Sequence, residues 1–267
     1  MSTTGKSWKI ARYLATTPYN IGGIPSAPKF VKHAANELEK GTGQRRLILL
    51  QATNIYWELS FRMKLQNLDY IIAYAMPSAE ADLPLHNLYF TDGISSRGFT
   101  NVLIDKCDLE IKQTGSIIAN ITAFAIANES KSLTVTYDTD VPMTKSAVQT
   151  ITVGGNALTK WTDLSFGVTN NAAREATGTT DTITELYARD PNYSGRFKFV
   201  KLADPLFGFD ATLKQSIVLS LRDNRTTPIT KTLTFTNAAL KQNPVEVQEL
   251  DLTYETVDWV GDRLVIT

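Results

Sequence analysis

Residues 98–126 read GFTNVLIDKCDLEIKQTGSIIANITAFAI, and their alternation decides the fold. Cys107, Leu109 and Ile111 alternate with Lys106, Asp108, Glu110 and Lys112, the period-two pattern of a strand with one dry face and one wet face. Gln113-Thr114-Gly115-Ser116 then supplies turn chemistry, with Gly115 able to take a positive φ at little cost. A return run follows, with Ile117, Ala119, Ile121 and Ala123 opposite Ile118, Asn120, Thr122 and Phe124. Both faces of this return strand are at least partly apolar. The segment reads as a long hairpin with one face on a core and part of the other covered by something else.

Parts of this theme recur about a hundred residues later. Lys131-Ser132-Leu133-Thr134-Val135-Thr136 is echoed by Lys231-Thr232-Leu233-Thr234-Phe235-Thr236, and Ser116-Ile117-Ile118 by Ser216-Ile217-Val218, both at an offset of 100. Leu59-Ser60-Phe61, after Trp57, is echoed by Leu164-Ser165-Phe166, after Trp161, at an offset of 105. Three echoes in one order favour an internal duplication; recurrent strand composition in a Ser- and Thr-rich β protein is the alternative.

A chain of 267 residues makes one large or two medium domains, either with an adequate core. Lys and Arg total 27 and so do Asp and Glu, so no net attraction to nucleic acid or membrane is expected. Cys107 is the only cysteine, which excludes an intrachain disulfide and makes it a small buried side chain by default. The first dozen residues carry Lys6, Lys9 and Arg12 and lack the apolar run of a secretory signal or a transmembrane helix. The chain is expected to be made soluble in a cytoplasm, without cofactor or metal.

Residues 1–44 read as an arm outside the β-rich core, with Pro18, Gly22-Gly23, Pro25 and Pro28 imposing a looped path and a small helix over residues 34–40. Its Trp8, Tyr13, Tyr19 and Phe30 are too apolar to leave in water, so the arm packs either on its own module or on a neighbouring subunit. Strands are expected over residues 45–52, 56–65, 132–137, 147–153, 162–170, 196–202, 216–222, 230–236 and 245–254, the last bending between Val247 and Leu250. A short helix is expected over residues 67–76, ended by Pro77, and a briefer one near Asp204-Pro205. Gly154-Gly155 and Gly261-Asp262 read as turns, and residues 172–181 as an exposed loop. With a link near Pro142, the division is an arm over 1–44, a first module over 45–140 and a second over 141–267.

Enzyme signatures are absent from this reading. His33 and His86 are the only histidines and sit in no metal-binding or triad pattern, and no glycine-rich phosphate loop follows a strand. Asp108 and Glu110 have the spacing of a carboxylate pair, yet Lys106 and Lys112 flank them as on an ordinary solvated sheet. Arg196, Lys198 and Lys201 among Phe197 and Phe199 fit a half-buried strand as well as a nucleic-acid surface.

Three stretches in order resemble the tail tube proteins of long-tailed phages and related viruses. These are Gly98-Phe99-Thr100-Asn101-Val102-Leu103-Ile104 before the long hairpin, and Thr152-Val153-Gly154-Gly155-Asn156-Ala157-Leu158 before Leu164-Ser165-Phe166-Gly167-Val168-Thr169-Asn170. The third is Leu233-Thr234-Phe235-Thr236-Asn237-Ala238-Ala239, followed by Pro244 and an alternating terminal strand. The resemblance covers most of residues 45–267 and rests on element order.

The resemblance implies a mainly β chain of two tandem sandwich or barrel modules of the tail tube type, each with a short helix. It further implies a non-enzymatic virion protein whose rings, trimeric for a duplicated chain and hexameric otherwise, stack into a tube through loops and arms. Other tail proteins would be partners, and genome DNA would pass through the lumen without specific binding. Lys106, Asp108, Glu110 and Lys112, with Lys214, Ser220 and Arg222, are then the expected channel lining, and Trp8, Tyr13, Tyr19 and Phe30 the inter-subunit arm. The competing expectation is a β-sandwich binding, adhesion or virion decoration module, for which Tyr187 and Tyr193 would serve in loops.

Overall fold

A computed structural model describes residues 8–15, 17–39, 48–76, 82–135, 141–176, 182–200, 214–242, 246–247 and 253–267. The chain is mainly β. Its first half holds β1 (Trp8–Leu14), β2 (Thr17–Ile24), β3 (Lys29–Glu39), β4 (Ile48–Lys64), the helix α1 (Asp69–Tyr74), β5 (His86–Thr91), β6 (Ser96–Ile111) and β7 (Ile118–Glu129). The second half begins with β8 (Val148–Val153), β9 (Asn156–Ala157), β10 (Trp161–Thr169), β11 (Ala173–Glu175), β12 (Glu185–Tyr187) and β13 (Asn192–Val200). It ends with β14 (Lys214–Arg222), β15 (Thr230–Gln242), β16 (Glu246–Val247), β17 (Thr253–Gly261) and β18 (Arg263–Ile266).

The expected hairpin is β6 and β7, paired antiparallel from Glu110↔Ile118 to Gly98↔Glu129. Alternation along β6 sends Cys107, Leu109 and Ile111 into the core, and Ala119, Ile121, Ala123 and Ala125 follow from β7. Around this hairpin the first half closes on itself. β7 pairs with β4, β6 with β5, β5 with β1 and β1 with β2, and β2 returns to β4 at Gly23↔Lys64. That last contact requires a glycine beside it. A Cβ on Gly22, whose φ is +150°, would lie 2.7 Å from Met63 Cγ and 2.8 Å from the Lys64 carbonyl oxygen, so only a residue without a side chain lets the strands meet. Asn67 Oδ1 accepts from the Asp69 amide at the start of α1, and Leu68, Ile71, Ala75 and Met76 around that helix join the same core.

The second half is sandwich-like and continues the same sheet. β10 pairs with β6 on one edge and β13 on the other, and β17 follows β13. β17 and β18 both run along β15, which pairs on its far side with β14, and β14 with β8. Phe166 and Trp259 meet Phe235, with the Phe235 and Trp259 ring centroids 4.7 Å apart, and Phe197 stacks on Trp259. Gly154 and Gly155, with φ of +58° and +85°, make the tight turn between β8 and β9.

Several expectations require correction. Residues 8–39 are not outside the β core: β1 lies between β2 and β5, and β3 runs along β4 from Lys29↔Ser60 to Glu39↔Ile48. The helix expected over residues 34–40 is therefore strand through Glu39, since a sheet edge offers its backbone more hydrogen bonds than a short exposed helix would. Residues 131–135 form no strand; they strap across β1 and β5, with the Leu133 amide donating to Tyr89 Oη and the Ser96 hydroxyl to the Lys131 carbonyl. Of the loop expected over residues 172–181, residues 173–175 are the strand β11, paired with β12, and residues 177–181 lie outside the described residues. The expected helix near Asp204-Pro205 and the bend between Val247 and Leu250 lie outside the described residues.

The sequence echoes fall on strands with different neighbours. Ile118 opens β7, between β4 and β6, whereas Ser216-Ile217-Val218 lies in β14, between β15 and β8. Lys131 to Val135 is strap and its echo is β15. Leu59-Ser60-Phe61 and Leu164-Ser165-Phe166 do share an orientation, each with Leu and Phe buried and Ser half-buried on the opposite face.

Candidate functional site

The run β3-β4-β7-β6-β10-β13-β17-β15 is antiparallel throughout, and its register sets side chains of one face in rows. One row crosses Arg62, Asn120, Asp108, Gly167, Ser194 and Val260. The next crosses Lys64, Ile118, Glu110, Ser165, Arg196 and Asp258, with Lys241 beyond. The opposite face of the same strands is the core, so alternation alone assigns these residues to water. The face is concave. A groove of about 670 Å³ runs over β6, β10, β13 and β17, between Glu110, Ser165, Arg196 and Asp258. A smaller hollow of about 290 Å³ continues it across β4 and β7, and Asp108 borders both.

Several charges on this face are matched in place. Lys106 Nζ lies 2.9 Å from Asp108 Oδ2, and Lys112 Nζ 3.8 Å from Glu110 Oε2. Glu110 also accepts from Asn120 Nδ2 at 2.7 Å, and Arg62 donates to Asn120 Oδ1 at 3.0 Å. Across β13 and β17, Arg196 Nε donates to Asp258 Oδ1 at 2.5 Å and its Nη2 to Oδ2 at 3.3 Å. That fork raises the Arg196 guanidinium above its ordinary range. Pairs this exposed each contribute little to stability, roughly 0–1 kcal/mol; their effect is on the potential of the face.

Part of the face is dry, as the apolar residues of both sides of the return strand required. A register shift between Ile104 and Lys106 places an extra residue in β6. Beyond it Leu103 and Phe124 face away from the main core into a small cluster with Leu83, Ile183 and Leu186. The β11–β12 hairpin covers this cluster. Arg174 holds it down, its guanidinium 4.4 Å from the centre of the Phe124 ring and 4.7 Å from that of Tyr56, with Nη1 donating to Tyr56 Oη at 2.9 Å.

Of the expected channel-lining residues, Lys106, Asp108, Glu110 and Lys112 lie together on this face. Lys214 joins them at the far end, opposite Ala239 and through it Val260, in the row that holds Asp108. Ser220 and Arg222 do not: they lie farther along β14, opposite Thr232 and Thr230 of β15, because the strand that hydrogen-bonds to β6 is β10. The counterparts in the second half are Ser165, Ser194, Arg196 and Asp258. The alternation of Arg196 and Lys198 with buried Phe197 and Phe199 carried their signal, but single-strand periodicity cannot say which strand lies alongside.

The arm residues pack within their own chain. Tyr13 is buried and its hydroxyl donates to Glu129, with Lys131 Nζ 4.2 Å from its ring centre. Phe30 lies 4.9 Å from both Phe90 and Phe99, and Trp8 packs half-buried on the core. Tyr19 stays 45% exposed beneath the Arg12 guanidinium. Of the competing loop candidates, Tyr193 is buried and burial pushes its phenol up to about 12, while Tyr187 is exposed on β12. The histidines stand apart: His33 stacks on Tyr56 and pairs with Glu58 at 2.9 Å, and His86 is buried against Tyr70. Burial raises the Cys107 thiol far above its usual range.

Among the described residues, the polar run ends in two open backbone edges. β3 pairs only with β4 among the described residues. At the other end, Leu240–Gln242 of β15 and Glu246–Val247 of β16 pair with β17 on one side and, among the described residues, with no strand on the other. No protein-family model matches the sequence, and no curated protein matches it.

Proposed function

We propose that the chain is a non-enzymatic structural protein of a viral tail, which joins copies of itself into rings that stack into a tube for genome DNA. One observation carries this reading: an antiparallel run of strands with a concave polar face and, at each end, an edge that pairs with no further strand among the described residues. An exposed edge as long as β3, Lys29–Glu39, is an aggregation template unless it is covered. Joining β3 of one copy to the β15–β16 edge of the next removes both edges at once, and repetition closes a barrel whose inner wall is the polar face. Each chain would supply two β modules to that wall, so three chains make a ring of six. Stacking of rings would then fall to surfaces off the sheet, including the exposed turn at Leu14.

Proline scanning of β3 tests the edge. In an antiparallel strand successive residues point their amides alternately toward and away from the partner. Of Val31→Pro and Lys32→Pro, one therefore breaks the pairing with β4 and the other blocks only the free edge. The second is expected to remain a folded monomer in sedimentation velocity at concentrations where the wild type associates. Association unchanged in both variants would exclude β3 as the joint. The groove over β6, β10, β13 and β17 favours a binding module as the second reading, and that reading predicts a wild type that stays a discrete particle throughout.

A further inference from the structure

We infer that Asp108, Glu110 and Asp258 hold the concave face in a state that does not bind nucleic-acid phosphate, by cancelling cations that would otherwise bind it. The inference rests on the channel reading above and concerns the regulation of that same face.

Arg62, Lys64, Lys106, Lys112 and Arg196 all project from this face. Lys198 does too, in register with Asp163 on one side and Thr256 on the other. A strip of that many cations across adjacent strands would bind phosphate without regard to sequence, because each neutralised phosphate releases condensed counterions. Here four of these cations meet carboxylates first. Asp108 takes Lys106, Asp258 takes Arg196 in a two-bond fork, and Glu110 stands between Lys112 at 3.8 Å and Arg62 at 4.0 Å. A cation neutralised within the protein has no counterion to release, and the carboxylate beside it repels an approaching phosphate.

The backbone makes room for this arrangement. Asp108 stands opposite Gly167 of β10, and a Cβ at Gly167 would collide with the Asp108 carboxylate. Glycine in mid-strand weakens a sheet. At this position it leaves the space in which the carboxylate lies across β10 instead of pointing away from the sheet.

The test uses the full chain and a short fluorescein-labelled DNA duplex, with binding read by anisotropy at about 50 mM salt, where such electrostatics are strong. Asp108→Asn, Glu110→Gln and Asp258→Asn are combined in one variant. A control removes whole pairs instead: Lys106→Gln with Asp108→Asn, and Arg196→Gln with Asp258→Asn. The carboxylate variant is expected to bind about tenfold or more tightly than wild type, with an affinity that falls steeply as salt rises. The control should bind no better than wild type. Equal binding by the carboxylate variant and wild type overturns the inference, and so does tight binding by wild type. If the combined variant does not give the wild-type circular dichroism spectrum, Asp108→Asn and Asp258→Asn alone must each shift affinity in the same direction. Assembly of the wild type is scored separately by sedimentation, so a protein that never forms rings counts against the channel reading while the charge comparison still decides this inference.

Discussion

His86 shows how burial turns one side chain into a dependence of stability on pH. Its Nε2 lies 2.8 Å from Tyr70 Oη in the core, and burial lowers it from 6.5 to about 3. Folded protein therefore keeps His86 neutral while unfolded chain takes up a proton below about pH 6.5. The stability it contributes is complete above that pH and is lost progressively as pH falls toward about 3. Replacing His86 with Gln should flatten the decline in urea midpoint between about pH 6.5 and pH 4 relative to wild type; parallel profiles would contradict the assignment. Asn170 is another buried polar group that ties elements together, donating from Nδ2 to the Ala75 carbonyl at 3.0 Å and to the Ile104 carbonyl at 2.9 Å. Asn170→Ala strands both carbonyls and should cost about 2–3 kcal/mol in denaturant unfolding. Neither role was legible in the sequence, where His86 sits in no metal-binding or triad pattern and Asn170 ends an expected strand. Partners 16 and 66 to 95 residues away leave no local pattern.

Elements whose period-two alternation is backed by a turn signal read correctly, as β6, β7 and β8 do, and β10 and β14 read correctly from alternation alone. There the residues facing the core are apolar almost without exception and the turn residues supply the positive φ the backbone needs. The elements that misled owe their state to tertiary pairing. β2 carries Pro18 and Gly22-Gly23, and Pro25 and Pro28 stand between it and β3, yet Gly22-Gly23 is where the first half closes on β4 and Pro18 stands near the start of β2 with only β1 alongside, both places where sheets accept such residues. The β11–β12 hairpin is too short to declare itself and is held by what lies beneath it. Arg174→Ala removes the cation from Tyr56 and Phe124 and should make residues 173–187 the first site cut in limited proteolysis, while the global urea midpoint moves by about 1 kcal/mol or less. Resistance equal to wild type would mean that Ile183 and Leu186 alone hold the flap.

At the scale of the molecule, one face of the candidate site was legible and its width was not. Lys106, Asp108, Glu110 and Lys112 declare a wet strand face; that the face extends through Ser165 and Arg196 to Asp258 depends on β10, β13 and β17 lying alongside, which strand periodicity cannot give. The halves are also bound through their ends. Asp223 accepts from the Ile229 amide at 2.9 Å and pairs with Arg225, whose other nitrogen reaches Asp69 at the start of α1 at 2.7 Å. With a shared sheet and this link, the chain should unfold in a single transition seen alike by fluorescence and circular dichroism. Two separated transitions would mean that the halves are independent. The central claim is that the two open edges join copies into a ring around the polar face. Negative-stain electron microscopy of the purified protein over a concentration series addresses it most directly. Rings with a central channel and threefold symmetry, stacking into tubes as concentration rises, are the expected result. Compact monomers at every concentration and salt would contradict the claim.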